Sequence, residues 1–169
     1  MPRRDAAWAL LRELLPPEAT FDNPCPHCGG PHGPVRIHGA AAVASVTYAG
    51  GRALVAVCAD ADAAGLAAVG IDAEPVTDQR RDAAGLAGVL GPGEASLRSW
   101  TRVEAALKAD GRGLRVEPAS VVVDEEPDGW TARVPGGEAI SGWDAEGPDD
   151  LVVSVAVRGI SEAPEAPSG

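Results

Sequence analysis

Two acidic residues, Asp72 and Glu74, have the types and spacing that could do chemistry. Neighbouring side chains of a strand point to opposite faces, so both carboxylates are predicted to share one face. The apolar residues Val69, Ile71 and Ala73 would then form the other face. Hard cations such as Mg²⁺ bind oxygen ligands of this kind. The pattern predicts either a pair of metal ligands or a solvated strand that carries two ordinary acids.

A third acid, Glu104, and the only lysine, Lys108, lie in the strongest predicted helix, residues 94–109. Helical spacing places Trp100 on the buried stripe and Glu104 at the border of that stripe. A carboxylate beside a buried tryptophan is partly desolvated, which suits a metal ligand or a proton acceptor. The alternative is an i,i+4 ion pair on the helix surface, which stabilises a helix by about 0.2–0.5 kcal/mol.

Periodicity and turn residues divide the rest of the chain into short elements that must position these side chains. Further helices are predicted at residues 5–15 and within 77–91. Strands are predicted at residues 35–37, 41–48, 53–58, 69–73, 116–123, 130–134, 140–144 and 151–157. Residues 18–33 are predicted to form a loop, and residues 59–68 either a loop or a short helix.

This order of elements predicts an α+β fold made of two similar α/β halves with mainly antiparallel sheets. The N-terminal half, residues 1–68, holds a helix, a Cys/Gly-rich loop and a hairpin. The C-terminal half, residues 69–160, holds the candidate acids. Residues 161–169 are predicted to be a disordered tail.

The composition excludes several classes of function. The net charge of −11 opposes nucleic-acid binding and adsorption to anionic membranes. No apolar run reaches the roughly 18 residues that a membrane span needs, and the N-terminus does not resemble a signal peptide. Three cysteines suit a reducing compartment better than a disulfide framework. We therefore expect a cytoplasmic protein.

Several segments together resemble the 4′-phosphopantetheinyl transferases. Residues 70–74 resemble the family motif G-[IV]-D-x-E, and residues 100–113 resemble W-x-x-K-E-A-x-x-K-x-x-G-x-G. Residues 25–33 resemble the C-x-x-C-G-x-x-H-G stretch of surfactin-type members. Residues 44–51 stand where that group has S-[LV]-S-H-S-G. The resemblance covers residues 10–158.

The resemblance implies a pseudo-twofold fold and a magnesium-dependent transferase. Such an enzyme moves 4′-phosphopantetheine from coenzyme A to a serine of an acyl or peptidyl carrier protein and releases 3′,5′-ADP. By the resemblance, Asp72, Glu74 and Glu104 would hold Mg²⁺. Glu104, or a water held by the metal, would be the base for the serine hydroxyl, and Lys108 would offset charge on the leaving diphosphate. A monomer is expected.

The resemblance also suggests residues for binding coenzyme A, and here the sequence departs from the family. The candidates are His32, Gly33, Arg36, Thr47, Tyr48 and Lys108. Tyr48 stands where the family has a histidine, Val103 where it has a lysine, and Pro34 where many members have a basic residue. Arg36, His32 and Arg52 are possible substitutes for the missing cations. The alternative function is therefore a catalytically inactive relative that binds a nucleotide or a protein.

Arginines of the second half form a candidate surface for an acidic carrier protein. They are Arg80, Arg81, Arg98, Arg102, Arg112 and Arg115. The alternative is that they are salt-bridged surface residues.

Cys25, Cys28 and His32 have spacing that could supply three zinc ligands, but a structural zinc site normally has four. The fourth would come from His27, His38 or Cys58. We favour the other interpretation, in which this glycine-rich stretch is a loop that closes over the nucleotide.

Overall fold

A computed structural model describes residues 3–77, 83–91 and 95–160, which contain three α-helices, two short 3-10 helices and nine strands. The helices are α1 (Arg3–Leu14), α2 (Ala83–Leu90) and α3 (Leu97–Asp110). The strands are β1 (Thr20–Asp22), β2 (Arg36–His38), β3 (Val43–Ala49), β4 (Arg52–Cys58), β5 (Leu66–Pro75), β6 (Val122–Glu126), β7 (Gly129–Arg133), β8 (Ala139–Asp144) and β9 (Leu151–Gly159).

Every strand pair in these sheets is antiparallel. A five-stranded sheet has the order β5-β9-β8-β7-β6, and two smaller sheets pair β1 with β2 and β3 with β4. In the large sheet Asp72 lies opposite Ser154 of β9. The predicted α+β class with mainly antiparallel sheets is therefore confirmed.

Apolar residues form three clusters that order the elements in layers. The first, around Leu11, joins α1 to the outer face of the β3–β4 hairpin. The second, around Ile71, joins the inner face of the hairpin to the large sheet. The third, around Leu107 and Trp130, joins the opposite face of the sheet to α2 and α3. The sheet edge β5 is thus covered by the hairpin on one side and by α3 on the other.

Caps at both ends of α3 fix where this helix begins and ends. Ser96 accepts a hydrogen bond from the Ser99 amide at 3.0 Å, which satisfies one of the amides left over at a helix start. At the other end Gly111 has φ +89°, a left-handed conformation that glycine adopts without a Cβ clash. The predicted helix at residues 94–109 is confirmed, with bounds shifted by a few residues.

Two predictions of local structure were wrong. The region predicted as a strand from residue 116 instead contains a 3-10 turn at Pro118–Ser120, and strand pairing begins only at Val122. Proline lacks the amide that a sheet ladder needs, and Pro118 starts the turn. The predicted loop at residues 18–33 contains β1, because this short segment finds a partner in β2. The ambiguous segment at residues 59–68 is a turn up to Gly65, after which β5 begins.

The predicted tail at residues 161–169 lies outside the described residues. The predicted division at residue 68 falls within β5 and stays a prediction. No helix among the described residues is both long enough and apolar enough to cross a membrane.

Candidate functional site

Strand β5 presents Asp72 and Glu74 to helix α3. Val69, Ile71 and Ala73 belong to the cluster beneath the hairpin, as the alternation predicts. The two acids contact side chains of α3 and are only 6% and 8% exposed. They are therefore not ordinary solvated acids of an exposed strand, and their carboxylates must be stabilised by the protein around them.

Gly70 allows α3 to come close to these acids. A Cβ at this position would lie 2.0 Å from the carbonyl oxygen of Ala105 and 2.7 Å from the amide nitrogen of Ala109. Real Cβ atoms do not approach backbone this closely, so only glycine fits here. The glycine of the first motif thus brings the helix backbone directly onto the strand that carries the acids.

Two side chains of α3 hold the acids in place. Lys108 Nζ donates to Asp72 Oδ1 at 2.7 Å and to the Ile71 carbonyl at 2.8 Å. One end of the site is therefore an ion pair between helix and strand. At the other end Trp100 Nε1 donates to Glu74 Oε1 at 3.2 Å.

Glu104 lies between these two contacts on the helix. It is four residues from both Trp100 and Lys108, about 6 Å along the helix axis from each, and so falls on the same face. Its side chain is partly exposed. The face of α3 that contains Glu104 is therefore the face that contacts Asp72 and Glu74.

The lysine thus pairs with a carboxylate of the strand. This contact differs from the surface i,i+4 pair with Glu104 that local spacing alone would suggest. The lysine nitrogen reaches across to β5 because Gly70 lets the helix pack so closely.

Asp72 also has a hydrogen-bond donor from the N-terminal half. Thr47 Oγ1, on β3, donates to Asp72 Oδ1 at 3.0 Å. Nearby, Ser45 Oγ accepts from the Ile71 amide at 3.1 Å, which ties β3 to the outer edge of β5. Asp72 Oδ2 is buried and has no hydrogen-bond partner among the described residues. A buried carboxylate oxygen without a partner is unfavourable, and a cation would satisfy it.

A cysteine and histidine cluster elsewhere in the chain has the spacing of metal ligands. Within the described ranges, the ligand-type side chains whose atoms all lie within 4.8 Å of one another are those of Cys25, Cys28 and His32. That cluster does not contain Asp72, Glu74 or Glu104. Their joint binding of a metal stays a prediction.

A groove of about 1050 Å³ lies beside Lys108. Four of the residues predicted to bind coenzyme A line it: His32, Gly33, Tyr48 and Lys108. The other two have different positions. Thr47 is bonded to Asp72, and Arg36 is an exposed residue of β2 that is not among the lining residues.

Two arginines at the start of α1, Arg3 and Arg4, line the same groove and were not predicted as site residues. Arg4 is held there by a 3.0 Å hydrogen bond to Asn23 and by the face of the Trp8 ring. The only sequence signal was a pair of adjacent arginines in an acidic chain. Arg52, considered as a substitute cation, instead pairs with Asp150 at 2.8 Å.

The cysteine loop forms one wall of this groove. Cys28 Sγ lies 3.4 Å from His32 Nε2. Hydrogen bonds from the backbone of Cys28 and His27 lower the pKa of the Cys25 thiol to about 7, because they favour the thiolate. All three cysteines of the chain are free thiols.

Part of the predicted docking surface is structural. Arg102 is 8% exposed and donates to both oxygens of Asp144, at 3.0 and 2.8 Å. It also pairs with Glu125, and these contacts raise its pKa further above the usual arginine value. Arg102 is therefore unavailable to a partner, and its inclusion in that surface was wrong.

The other described arginines of that surface are also engaged. Arg98 pairs with Asp144 at 3.3 Å, and Arg112 pairs with Asp110. Arg115 donates to the Arg112 carbonyl at 2.9 Å and lines the groove. Arg80 and Arg81 lie outside the described residues.

Comparison with protein-family models finds no model that matches this chain, and no curated protein matches it.

Proposed function

We propose that this protein transfers 4′-phosphopantetheine from coenzyme A to a serine hydroxyl of an acyl or peptidyl carrier protein. The observation that carries the proposal is that α3 lies on β5 with Trp100 and Lys108 bonded to Glu74 and Asp72, and Glu104 between them. The two segments that resemble the transferase motifs thus lie against each other, which supports the proposal. The proposal includes the pseudo-twofold relation of the two halves that this family has.

Asp72, Glu74 and Glu104 would hold the magnesium ion. Carboxylate oxygens are the ligands that Mg²⁺ prefers, and the unpartnered Asp72 Oδ2 fits a cation at this place. When bound, the ion supplies positive charge that neutralises the diphosphate of coenzyme A.

The protein side chains would act on the two oxygens at the reacting phosphorus. Glu104, partly exposed on the face of α3 that contacts β5, accepts the proton of the carrier serine. The serine oxygen then forms a bond to the phosphorus, and the bond to the 3′,5′-ADP oxygen breaks. Lys108, beside Asp72, stabilises the charge that builds on that leaving oxygen.

The groove beside Lys108 is the candidate site for the nucleotide of coenzyme A. Arg3, Arg4 and Arg115 line it and bring positive charge to a chain that is acidic as a whole. These arginines would take the place of the family's histidine and lysine, where this chain has Tyr48 and Val103. Val103 is only 4% exposed and belongs to the core cluster around Leu107, so this position contributes to packing here.

A transfer assay tests the proposal. The protein is incubated with coenzyme A, Mg²⁺ and a panel of carrier proteins without their prosthetic group, and the carrier is weighed by mass spectrometry. We expect the carrier protein to gain the mass of one phosphopantetheine group. We expect no such gain when Asp72→Asn or Glu104→Gln replaces the parent enzyme. Glu138→Gln, in an exposed ion pair with Arg158, is the matched control and should keep full activity.

Near-normal turnover in Asp72→Asn and Glu104→Gln would refute the assignment of these acids. The missing family cations favour a second candidate, an inactive relative that still binds the nucleotide. Calorimetric binding of coenzyme A without any mass gain across the panel would support that candidate.

A further inference from the structure

The cysteine loop brings two thiols and an imidazole together outside the proposed active site. Their ligand atoms all lie within 4.8 Å of one another, and they have the spacing C-x₂-C-x₃-H. Zinc binds sulfur at about 2.3 Å and nitrogen at about 2.0 Å, so a tetrahedral ion separates the two by about 3.5 Å. Cys28 Sγ and His32 Nε2 are 3.4 Å apart, which matches that geometry.

Backbone contacts hold this loop in the ligand-binding shape. The Gly29 amide donates to the Cys25 carbonyl at 2.8 Å, and the Cys25 amide donates to the Gly30 carbonyl at 2.7 Å. Gly33 packs so closely on the Pro24 carbonyl oxygen that a Cβ would lie 2.2 Å from it. A loop already folded in this way loses little conformational entropy when it binds an ion.

The exposure of the ligands leaves the site open on one side. Cys28 and His32 are exposed and Cys25 is partly buried, so an ion can enter from solvent. No fourth His, Cys, Asp or Glu joins the group within the described ranges. His38, one of the predicted fourth ligands, lies 3.5 Å from Asp22 instead.

We propose that Cys25, Cys28 and His32 bind one Zn²⁺ ion, with a water molecule in the fourth position. Two thiolates and an imidazole bind zinc in preference to magnesium or calcium, which take oxygen ligands. The ion cross-links residues 25–32 and so stiffens one wall of the groove beside Lys108. His32 Nε2 then binds the metal and is not free to contact a phosphate. This proposal does not depend on the transferase activity.

Cobalt titration tests the site with the metal alone. The full-length protein is treated with a chelator, kept reduced with a phosphine, and titrated with Co²⁺, whose thiolate complexes absorb in the near ultraviolet. We expect one Co²⁺ per chain, displaced by one Zn²⁺. Cys28→Ser and His32→Ala should weaken binding by more than about tenfold, since even changes beside metal ligands cost about 10–100-fold. Cys58→Ser, a change on β4 at a free thiol outside this cluster, should bind as the parent does.

A second measurement separates metal binding from loss of the fold. Circular dichroism checks that each variant is folded, and Cys25→Ser replaces any variant that is not. Hydrogen exchange of residues 24–33 should slow when Zn²⁺ is added to the parent and should not change in His32→Ala. Absence of stoichiometric binding by the folded parent, or unchanged affinity in the folded ligand variants, would overturn the proposal.

Discussion

Replacing Lys108 by methionine separates the structural role of Asp72 from its predicted role as a metal ligand. The Asp72 side chain is 8% exposed and that of Lys108 is 30% exposed. Removal of one partner from a fully buried ion pair costs about 3–5 kcal/mol, because the remaining charge stays buried. Partial exposure of Lys108 and the retained bond from Thr47 reduce this to about 2–3 kcal/mol.

Urea denaturation and thermal unfolding measure this cost. For a chain of this size about 1 kcal/mol corresponds to about 2–4 °C, so we expect Lys108→Met to lower Tm by about 4–12 °C. The double variant Asp72→Asn/Lys108→Met removes both charges and should recover part of the loss. Arg133→Met is the matched control, because its ion pair with Asp124 is exposed and should contribute about 0–1 kcal/mol.

Magnesium should then stabilise the lysine variant more than it stabilises the parent. Lys108 Nζ donates a hydrogen bond to Asp72 Oδ1, so it competes with a metal ion for that oxygen. At a Mg²⁺ concentration of 100 times Kd, binding to the folded state contributes about 2.7 kcal/mol. Sodium chloride at equal ionic strength controls for screening. A cost below about 0.5 kcal/mol for Lys108→Met would contradict the buried-charge reasoning. Absence of any magnesium effect on the folded variant would refute the predicted metal site.

Three further predictions follow from packing and charge elsewhere in the chain. Gly70→Ala should destabilise the protein by about 1–3 kcal/mol or more in urea denaturation, because the added Cβ would meet the α3 backbone. Gly88→Ala is the control. It has open space around it and should stabilise the protein by up to about 1 kcal/mol. A loss smaller than about 0.5 kcal/mol for Gly70→Ala would show that α3 can move away. Arg102→Met should lower the free energy of unfolding by about 2–3 kcal/mol in the same assay, because Asp144 loses its buried ion-pair partner. A cost of only about 0–1 kcal/mol, typical of an exposed ion pair, would contradict this prediction. Burial alone would raise the pKa of Asp144, but hydrogen bonds from Arg102 and Ser154 and the nearby arginine charges outweigh it and lower the pKa below 3.8. Its contribution is therefore full above about pH 4 and lost as the pH falls below that value, and Asp144→Asn should flatten this part of an acid titration of the unfolding free energy.

Local sequence patterns predicted those helices and strands whose structure is decided by residues close to them in the sequence. Alternation predicted that Asp72 and Glu74 share a face of β5, because side chains of a strand alternate whatever packs against them. Helical periodicity predicted α3, although the predicted start at residue 94 lies before the observed start at Leu97. Trp100, which was predicted to lie on the buried stripe of α3, is only 7% exposed, and Leu107 of the same helix is fully inaccessible.

Local patterns failed where a distant partner decides the outcome. β1 is a short polar-flanked segment that forms a strand only because β2 pairs with it. Arg102 was predicted to lie on a docking surface, yet Asp144 and Glu125 from later strands enclose its charge. Arg3 and Arg4 reach the groove because α1 packs on the hairpin, a contact that no local pattern contains.

The sequence by itself determined the alternating strand, the helix α3 and the candidate acids that they present. It did not determine which cation each acid meets. Glu104 and Lys108 are neighbours on the helix, but the lysine bonds to Asp72, 36 residues away, because Gly70 removes the side chain that would hold the helix off the strand. Only the tertiary structure decides such a contact, since its energy depends on the distance between backbones that are far apart in the chain.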